Sequence, residues 1–181
     1  MQHIPPRILA IKPDIPNTGY AVLDAGELLY SRVHTFTRGK TGHSTLAEGR
    51  QLVRALIDAF NPTILVIENA LHTQAERASL RHMLGEEITR LAALNGLQVF
   101  SYTPATVKQA ITGDATASTK RVAETIVRLW YHHLEPDLPT DAPEEHHCWE
   151  PMFDAVALGV VAYYDVTGQQ LPHPLVTAFE L

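Results

Sequence analysis

Two acidic residues stand where carboxylates commonly bind metal ions in α/β proteins. Glu68 ends the apolar run 64–67, which is typical of a buried strand, and Asp154 lies near the start of a helix that is apolar on nearly every face. Ligand sites of open α/β sheets lie beyond the carboxyl ends of the strands. Carboxylates that converge there can hold the two divalent cations, roughly 3.5–4 Å apart, that phosphodiester hydrolysis uses. An acid in the first turn of a helix also stabilises the helix dipole, so Asp154 has a purely structural explanation as well.

The elements around these acids predict a mixed α/β domain. Short apolar strands separated by turn residues come first and should form an antiparallel meander. Helical segments then alternate with apolar strands, which is the order of a mixed sheet covered by helices on both faces. The predicted strands are 7–11, 20–23, 28–34, 63–67 and 97–102, and the predicted helices are 44–60 (with a capping box at Thr45 and Glu48), 75–94, 104–112, 118–134 and 151–164. The length predicts one domain, 1–181, with a mobile loop at about 135–149.

Composition limits the class of protein. Apolar residues make up 45% of the chain and charged residues 19%, as in ordinary globular domains. The single cysteine, Cys148, argues against a disulfide framework or a cysteine-based zinc site. Because no apolar stretch approaches the roughly 18–20 residues of a membrane span, and no secretory signal is evident, we expect a cytoplasmic protein without a membrane partner. The net charge of −6 argues mildly against a general nucleic-acid binder but does not describe a local groove.

Several short motifs occur in a fixed order over roughly residues 7–164. They are Ile8-Leu9-Ala10-Ile11-Lys12-Pro13-Asp14, Thr18-Gly19-Tyr20-Ala21-Val22, Leu65-Val66-Ile67-Glu68, Tyr102 with Val107-Lys108-Gln109, Gly113 with Lys120-Arg121-Val122, and Asp154-Ala155-Val156-Ala157-Leu158. Their joint order and spacing are more specific than any one of them. Taken together, they resemble the motifs of RuvC-type Holliday junction resolvases.

The resemblance implies a ribonuclease H-like α/β fold, with a mixed five-stranded sheet of three antiparallel and then parallel strands, flanked by helices. It also implies a homodimer that cuts branched DNA, such as a four-way junction, with Mg²⁺ or Mn²⁺. Lys108, Lys120 and Arg121 would contact DNA phosphates, which position a protein without reading sequence. They could equally be ordinary exposed helix charges, and Arg77, Arg81 and Arg90 are expected on solvated helix faces. The helix at 75–94 matches the dimer element of the family, but its apolar stripe could also pack on the sheet of its own chain.

The acidic positions depart from the family pattern. The family's first aspartate aligns with Lys12, and the acid three residues before Asp154 aligns with Pro151. Of four family acids, only Glu68 and Asp154 remain. The family's aromatic residue after the second acidic strand is Leu71 here.

These departures leave several interpretations open. In the first, Lys12 occupies the metal position of a non-catalytic, DNA-binding relative, and its nitrogen lies within ion-pair reach of both Glu68 and Asp154. In the second, Asp14 and Glu150 replace the missing acids, and the chain is an active Mg²⁺- or Mn²⁺-dependent junction endonuclease. The third interpretation is a scaffold or interaction protein.

Two further patterns carry less weight. Asp14 and Thr18 faintly resemble the phosphate-binding turn of actin-like phosphotransferases, but the chain is short for their two-domain architecture. His146 and His147 could assist a rebuilt metal site, although adjacent side chains do not easily converge on one ion.

Overall fold

A computed structural model describes residues 5–37, 41–69, 79–137 and 149–172 of the chain. Its elements occur in the predicted order of three strands, helix, strand, helix, strand and helices. They are β1 (Arg7–Lys12), β2 (Asn17–Asp24), β3 (Glu27–Thr35), α1 (Gly42–Phe60), β4 (Ile64–Glu68), α2 (Leu80–Leu94), β5 (Gln98–Tyr102), α3 (Pro104–Thr112), α4 (Thr119–Leu129), a 3₁₀ helix (His132–Asp137) and α5 (Glu150–Thr167).

The five strands form one mixed sheet in the order β3-β2-β1-β4-β5. The first three strands pair antiparallel, whereas β4 pairs parallel with β1, and β5 pairs parallel with β4. This arrangement confirms the predicted ribonuclease H-like sheet. The carboxyl ends of the parallel strands therefore lie at one edge of the sheet, which is where α/β proteins place their sites.

In the two central strands, β1 and β4, the alternation of side chains places the last residue of each strand on the same face of the sheet. Ile8 and Ala10 of β1 pack in the cluster that contains α5, while Leu9 and Ile11 pack in the opposite cluster. Side chains of a strand repeat with a period of two, so the following Lys12 shares the α5 face. The same alternation runs through β4 and gives Glu68 the same face.

The helices cover both faces, and three of their ends differ from the prediction, one of them being the end of α5 at Thr167 instead of 164. Helix α1 begins at Gly42 with the Thr41 hydroxyl as its N-cap, so the predicted capping box at Thr45 and Glu48 is wrong. Helix α4 ends at Leu129 instead of continuing to 134, and a 3₁₀ helix follows. The predicted start of α2 near residue 75 and most of the predicted loop at 135–149 lie outside the described residues. No helix in the described ranges combines the length and hydropathy needed to span a bilayer.

Close backbone packing fixes the start of α5 against the sheet. A Cβ atom built on Gly19 of β2 would lie 1.7 Å from the carbonyl oxygen of Pro151, in the first turn of α5. Gly19 is also the ladder partner of Lys12. The missing side chain of Gly19 therefore allows the first turn of α5 to lie directly over the end of β1. Asp154 lies in the second turn of the same helix.

Candidate functional site

The ends of β1 and β4 and the start of α5 bring three charged side chains together. The Lys12 ammonium donates to Oδ2 of Asp154 at 2.5 Å and lies 3.6 Å from Oε1 of Glu68. The parallel register pairs Ile11 with Ile67. Lys12 and Glu68 are the next residues of these two strands and therefore lie side by side at the strand ends. The ion-pair contacts expected for Lys12 are therefore present. All three side chains are largely buried, with relative exposures of 18% for Lys12, 7% for Glu68 and 12% for Asp154.

Burial and mutual attraction shift the pKa values of this cluster. Desolvation alone would lower the pKa of Lys12, but attraction to Asp154 and then Glu68 outweighs it, so the pKa of Lys12 is raised. Burial raises the pKa of Glu68, and the nearby cations Lys12 and Arg81 only partly oppose this shift. A raised lysine pKa means that the ammonium keeps its proton throughout the neutral range. Lys12 therefore acts as a permanent positive charge within the site.

A second cation, Arg81, reaches the site from the first turn of α2. Its guanidinium lies 3.5 Å from Oε1 of Glu68 and donates to the carbonyl of Pro13 at 3.2 Å. The prediction that Arg81 lies on a solvated helix face is wrong. A Cβ atom built on Gly85, one turn later on the same face of α2, would lie at ordinary contact distance from Pro13 and Ile67, so this face of α2 lies against the residues at the ends of β1 and β4. Arg90, in contrast, is exposed as predicted and pairs with Glu87 within α2, and Arg77 lies outside the described residues.

Asp14 lies beside the cluster, and Arg81 connects it to Glu68. Its carboxylate accepts a hydrogen bond from the backbone N–H of Ile15 and is 3.9 Å from Nε of Arg81. Its charge also contributes to the raised pKa of Lys12. Thr18 is fully buried and its hydroxyl donates to the backbone carbonyl of Asp14. The Thr18 hydroxyl therefore stabilises the turn between β1 and β2.

Glu150 is the first residue of α5 and stands one helical turn before Asp154. Residues four apart lie on the same side of a helix, so Glu150 belongs to the end of α5 that faces the cluster. His146 and His147 lie outside the described residues. Within the described ranges, no group of three or more His, Cys, Asp or Glu side chains could hold a metal ion.

The residues of this site do not fit a conventional two-metal centre. Such a centre needs several carboxylates that converge on shared cations. Here an ammonium group lies at hydrogen-bond distance from Asp154, and Pro151 offers no carboxylate. Lys12 and Arg81 therefore supply the positive charges that pair with the buried carboxylates of Asp154 and Glu68.

Of the three predicted DNA-binding residues, Lys108 borders the same cluster, whereas Lys120 and Arg121 do not line its cavity. Lys108 of α3 lines a cavity of about 70 Å³ that Lys12, Glu68 and Asp154 also line. Lys120 and Arg121 lie in the exposed first turn of α4, where Arg121 is 3.7 Å from Asp114. Cations are electrostatically disfavoured in the first turn of a helix. Neither Lys120 nor Arg121 therefore stabilises the helix dipole of α4.

Known proteins are similar in sequence to most of this chain. Residues 8–144 match the family model described as "Crossover junction endodeoxyribonuclease RuvC". The protein of that name from Akkermansia muciniphila is 31% identical over 123 residues, which are 65% of this chain and 73% of the relative. The protein of that name from Mycolicibacterium vanbaalenii is 27% identical over 164 residues, which are 83% of this chain and 84% of the relative.

Solved structures of resolvases share the fold. Thermus thermophilus RuvC aligns with a TM-score of 0.67 at 22% identity and covers 90% of this chain and 97% of its own. The same protein in complex with a Holliday junction substrate aligns equally well, at 20% identity, with 90% and 96% covered. The yeast mitochondrial Holliday junction resolvase aligns with a TM-score of 0.62 at 15% identity, over 90% of this chain and 80% of its own. Since the family model covers most of the sequence, the chain belongs to the RuvC family of crossover junction endodeoxyribonucleases.

Proposed function

We propose that this chain binds branched DNA, in particular four-way junctions, and that its metal-dependent endonuclease activity is weakened or lost. The observation that carries the proposal is the position of the Lys12 ammonium between Asp154 and Glu68. Family membership and the junction-bound relative support the DNA partner. In this proposal the protein keeps the recognition surface of the family and has lost two of its four acids, at Lys12 and Pro151.

Electrostatics supports the loss of metal binding. Replacing a carboxylate by an ammonium changes the local charge by two units, and each unit at 4 Å is worth about 4 kcal/mol even at an effective dielectric constant near 20. A divalent cation would have to displace Lys12 from Asp154 or bind beside it. Each of these arrangements has an electrostatic cost, so binding of Mg²⁺ or Mn²⁺ at the position of Lys12 is disfavoured.

A second candidate function is an active junction endonuclease with a rebuilt site. Glu150 is one turn from Asp154, and the charge of Asp14 acts on Lys12, so both acids are near enough to be considered as substitute ligands. In this candidate Mg²⁺ or Mn²⁺ would bind Asp14, Glu68, Glu150 and Asp154. The lack of a three-acid group among the described residues favours the first proposal.

A homodimer is part of the proposal. Met83 and Leu94 of α2 have relative exposures of 47% and 70%. They lie three turns apart on one side of the helix. A second copy of the chain that packs against this side would cover both residues. The junction, with its two-fold related arms, suits a two-fold symmetric protein.

Recognition is tested by comparing a labelled four-way junction with a linear duplex of the same sequence. We expect tighter binding to the junction and a steep loss of affinity with salt, because phosphate contacts release counterions. Lys108→Gln should weaken binding to any sequence and reduce the slope of log K against log salt by about one unit. The matched control is Arg54→Gln, which removes one exposed positive charge from α1, in the opposite helical layer.

Each outcome of this comparison has a definite meaning. Junction preference with an effect of Lys108→Gln and none of Arg54→Gln supports the proposal. A protein with neither affinity for DNA nor preference for the junction would instead be the scaffold or interaction protein that the sequence left open.

A further inference from the structure

A groove beside the last turns of α5 lies away from the cluster of Lys12, Glu68 and Asp154. It has a volume of about 380 Å³, and its wall includes Tyr102, Thr106, Val161, Tyr164, Asp165 and Leu171. These residues come from the end of β5, the first turn of α3 and the carboxyl end of α5. At 1.5 Å per residue, Asp165 lies about 16 Å along the helix from Asp154. The groove is therefore a separate surface of the protein.

Asp165 gives this groove a negative charge without a partner cation in the described part of the chain. Its carboxylate accepts a hydrogen bond from the Tyr102 hydroxyl at 2.5 Å, and no lysine, arginine or histidine of the described ranges forms an ion pair with it. Burial and this hydrogen bond raise the pKa of Tyr102, so the tyrosine keeps the proton that it donates. The last turn of α5 contains no basic residue, and the carboxyl end of a helix is partially negative. Carboxylate and helix end both attract a cation.

The rest of the wall suits a side chain that is apolar along its stem and ends in a flat cation. Val161 and Leu171 offer apolar surface, against which the aliphatic stem of a basic side chain can pack. Tyr102 and Tyr164 add two aromatic rings, which attract cations and arginine in particular. Nε1 of Trp130 donates to the Tyr164 hydroxyl at 3.2 Å and so restrains that side chain. A guanidinium can pair with a carboxylate through two hydrogen bonds and also stack on a ring, which an ammonium cannot do.

We propose that this groove docks an arginine side chain from a basic segment of a partner protein, with the guanidinium on Asp165 and the stem on Val161 and Leu171. The volume lies within the range of roughly 300–1,000 Å³ of sites that hold whole small molecules, so it has room for the neighbouring residues of a peptide. DNA is an unsuitable occupant, because the unpaired carboxylate repels phosphates. The inference is thus independent of the proposed recognition of branched DNA.

Binding is measured by NMR titration of the whole chain, labelled with ¹⁵N, in the absence of DNA. The probes are two capped pentapeptides that differ only at the central position, which is arginine in one and citrulline in the other, between apolar neighbours. Citrulline keeps the shape of arginine and removes its charge. We expect the arginine peptide to shift the amide signals of residues 161–171 in a saturable way. The citrulline peptide should bind on the order of tenfold more weakly, as expected when a charge-assisted hydrogen bond is lost.

The variant Asp165→Asn tests the carboxylate directly. Asparagine can still accept the hydrogen bond from Tyr102, so the change removes the negative charge and keeps that contact. Affinity for the arginine peptide should fall on the order of tenfold. The matched control is Asp58→Asn, which makes the same change at an exposed position of α1 and should leave the affinity unchanged. Circular dichroism establishes that both variants are folded.

The other outcomes each overturn the proposal in a different way. Equal affinities for the two peptides, or for Asp165→Asn and the unmodified protein, would show that the negative charge does not attract the ligand. Spermidine that binds residues 161–171 as tightly as the arginine peptide would identify a site for small polyamines. Shifts of these signals with protein concentration alone would mean that a second copy of the chain covers the groove. Because the samples contain no DNA, each of these results leaves the proposed function standing.

Discussion

Replacement of Lys12 by aspartate is expected to lower the free energy of unfolding by about 3 to 5 kcal/mol in EDTA, and added Mg²⁺ should reverse much of the loss. Removing one partner of a buried ion pair leaves uncompensated charge in the site. Lys12→Asp also adds a third carboxylate beside Glu68 and Asp154, which lie in contact with Lys12 in the unmodified protein. For a chain of this length the change corresponds to roughly 10 °C in the thermal midpoint.

Divalent cations should then stabilise only the aspartate variant. A ligand that binds the folded state alone raises stability in proportion to the logarithm of its concentration above the dissociation constant. Isothermal titration calorimetry should therefore detect Mg²⁺ binding to Lys12→Asp and none to the unmodified protein. Lys12→Asn is the matched control, because it removes the ammonium and keeps the size of aspartate without adding a carboxylate. Identical titrations of Lys12→Asp and the unmodified protein would contradict the assignment of Lys12 to the metal position.

Gly19→Ala is expected to destabilise the fold by about 3 kcal/mol or more, the upper part of the range for overpacked sites. The added methyl group would overlap the backbone carbonyl of Pro151, and neither β2 nor the first turn of α5 can rotate away as a side chain would. Because this contact sets α5 over the end of β1, the Lys12–Asp154 pair should be displaced as well. Urea denaturation measures the loss, and a lower midpoint with an unchanged slope would indicate a pure change in stability.

Gly85→Ala provides the control for this substitution. Its added methyl group would meet Pro13 and Ile67 at 3.7 and 3.9 Å, which are ordinary contact distances. Gly85 lies inside α2, where alanine is favoured over glycine by about 1 kcal/mol. We therefore expect Gly85→Ala to be neutral or stabilising. Equal effects of the two substitutions would show that the contact between Gly19 and Pro151 is not a tight one.

Local rules predict the strands and most of the helices, whereas the contacts of Lys12 were predicted from the family resemblance, which aligns this residue with the first family acid. Alternation along β1 and β4 places Lys12 and Glu68 on one face, and the apolar character of α5 places Asp154 over that face. The strand order agrees with the family resemblance, which adds the long-range topology that periodicity alone does not contain. The predicted contacts of Lys12 were therefore accessible from the sequence.

The position of the Arg81 side chain and the end of α4 could not be predicted from the sequence, because tertiary contacts determine both. The reach of Arg81 to Glu68 depends on where α2 crosses the sheet, and helical periodicity does not give that position. After Leu129 the apolar pattern continues, but the backbone leaves the helix at Trp130. There the buried Tyr131 donates its hydroxyl hydrogen to the carbonyl of Gly26 at 2.6 Å, a contact across the domain.

The most direct measurement is cleavage of a labelled four-way junction by the unmodified protein, first with Mg²⁺ and then with Mn²⁺, beside a Glu68→Gln variant. Binding of the same junction is recorded in the same samples. If Lys12 has replaced the metal, the junction remains bound and uncut with either cation, and Glu68→Gln changes nothing in the cleavage lanes. Metal-dependent cutting that Glu68→Gln abolishes would contradict this conclusion and identify a working nuclease, with Asp14 and Glu150 as the next residues to replace.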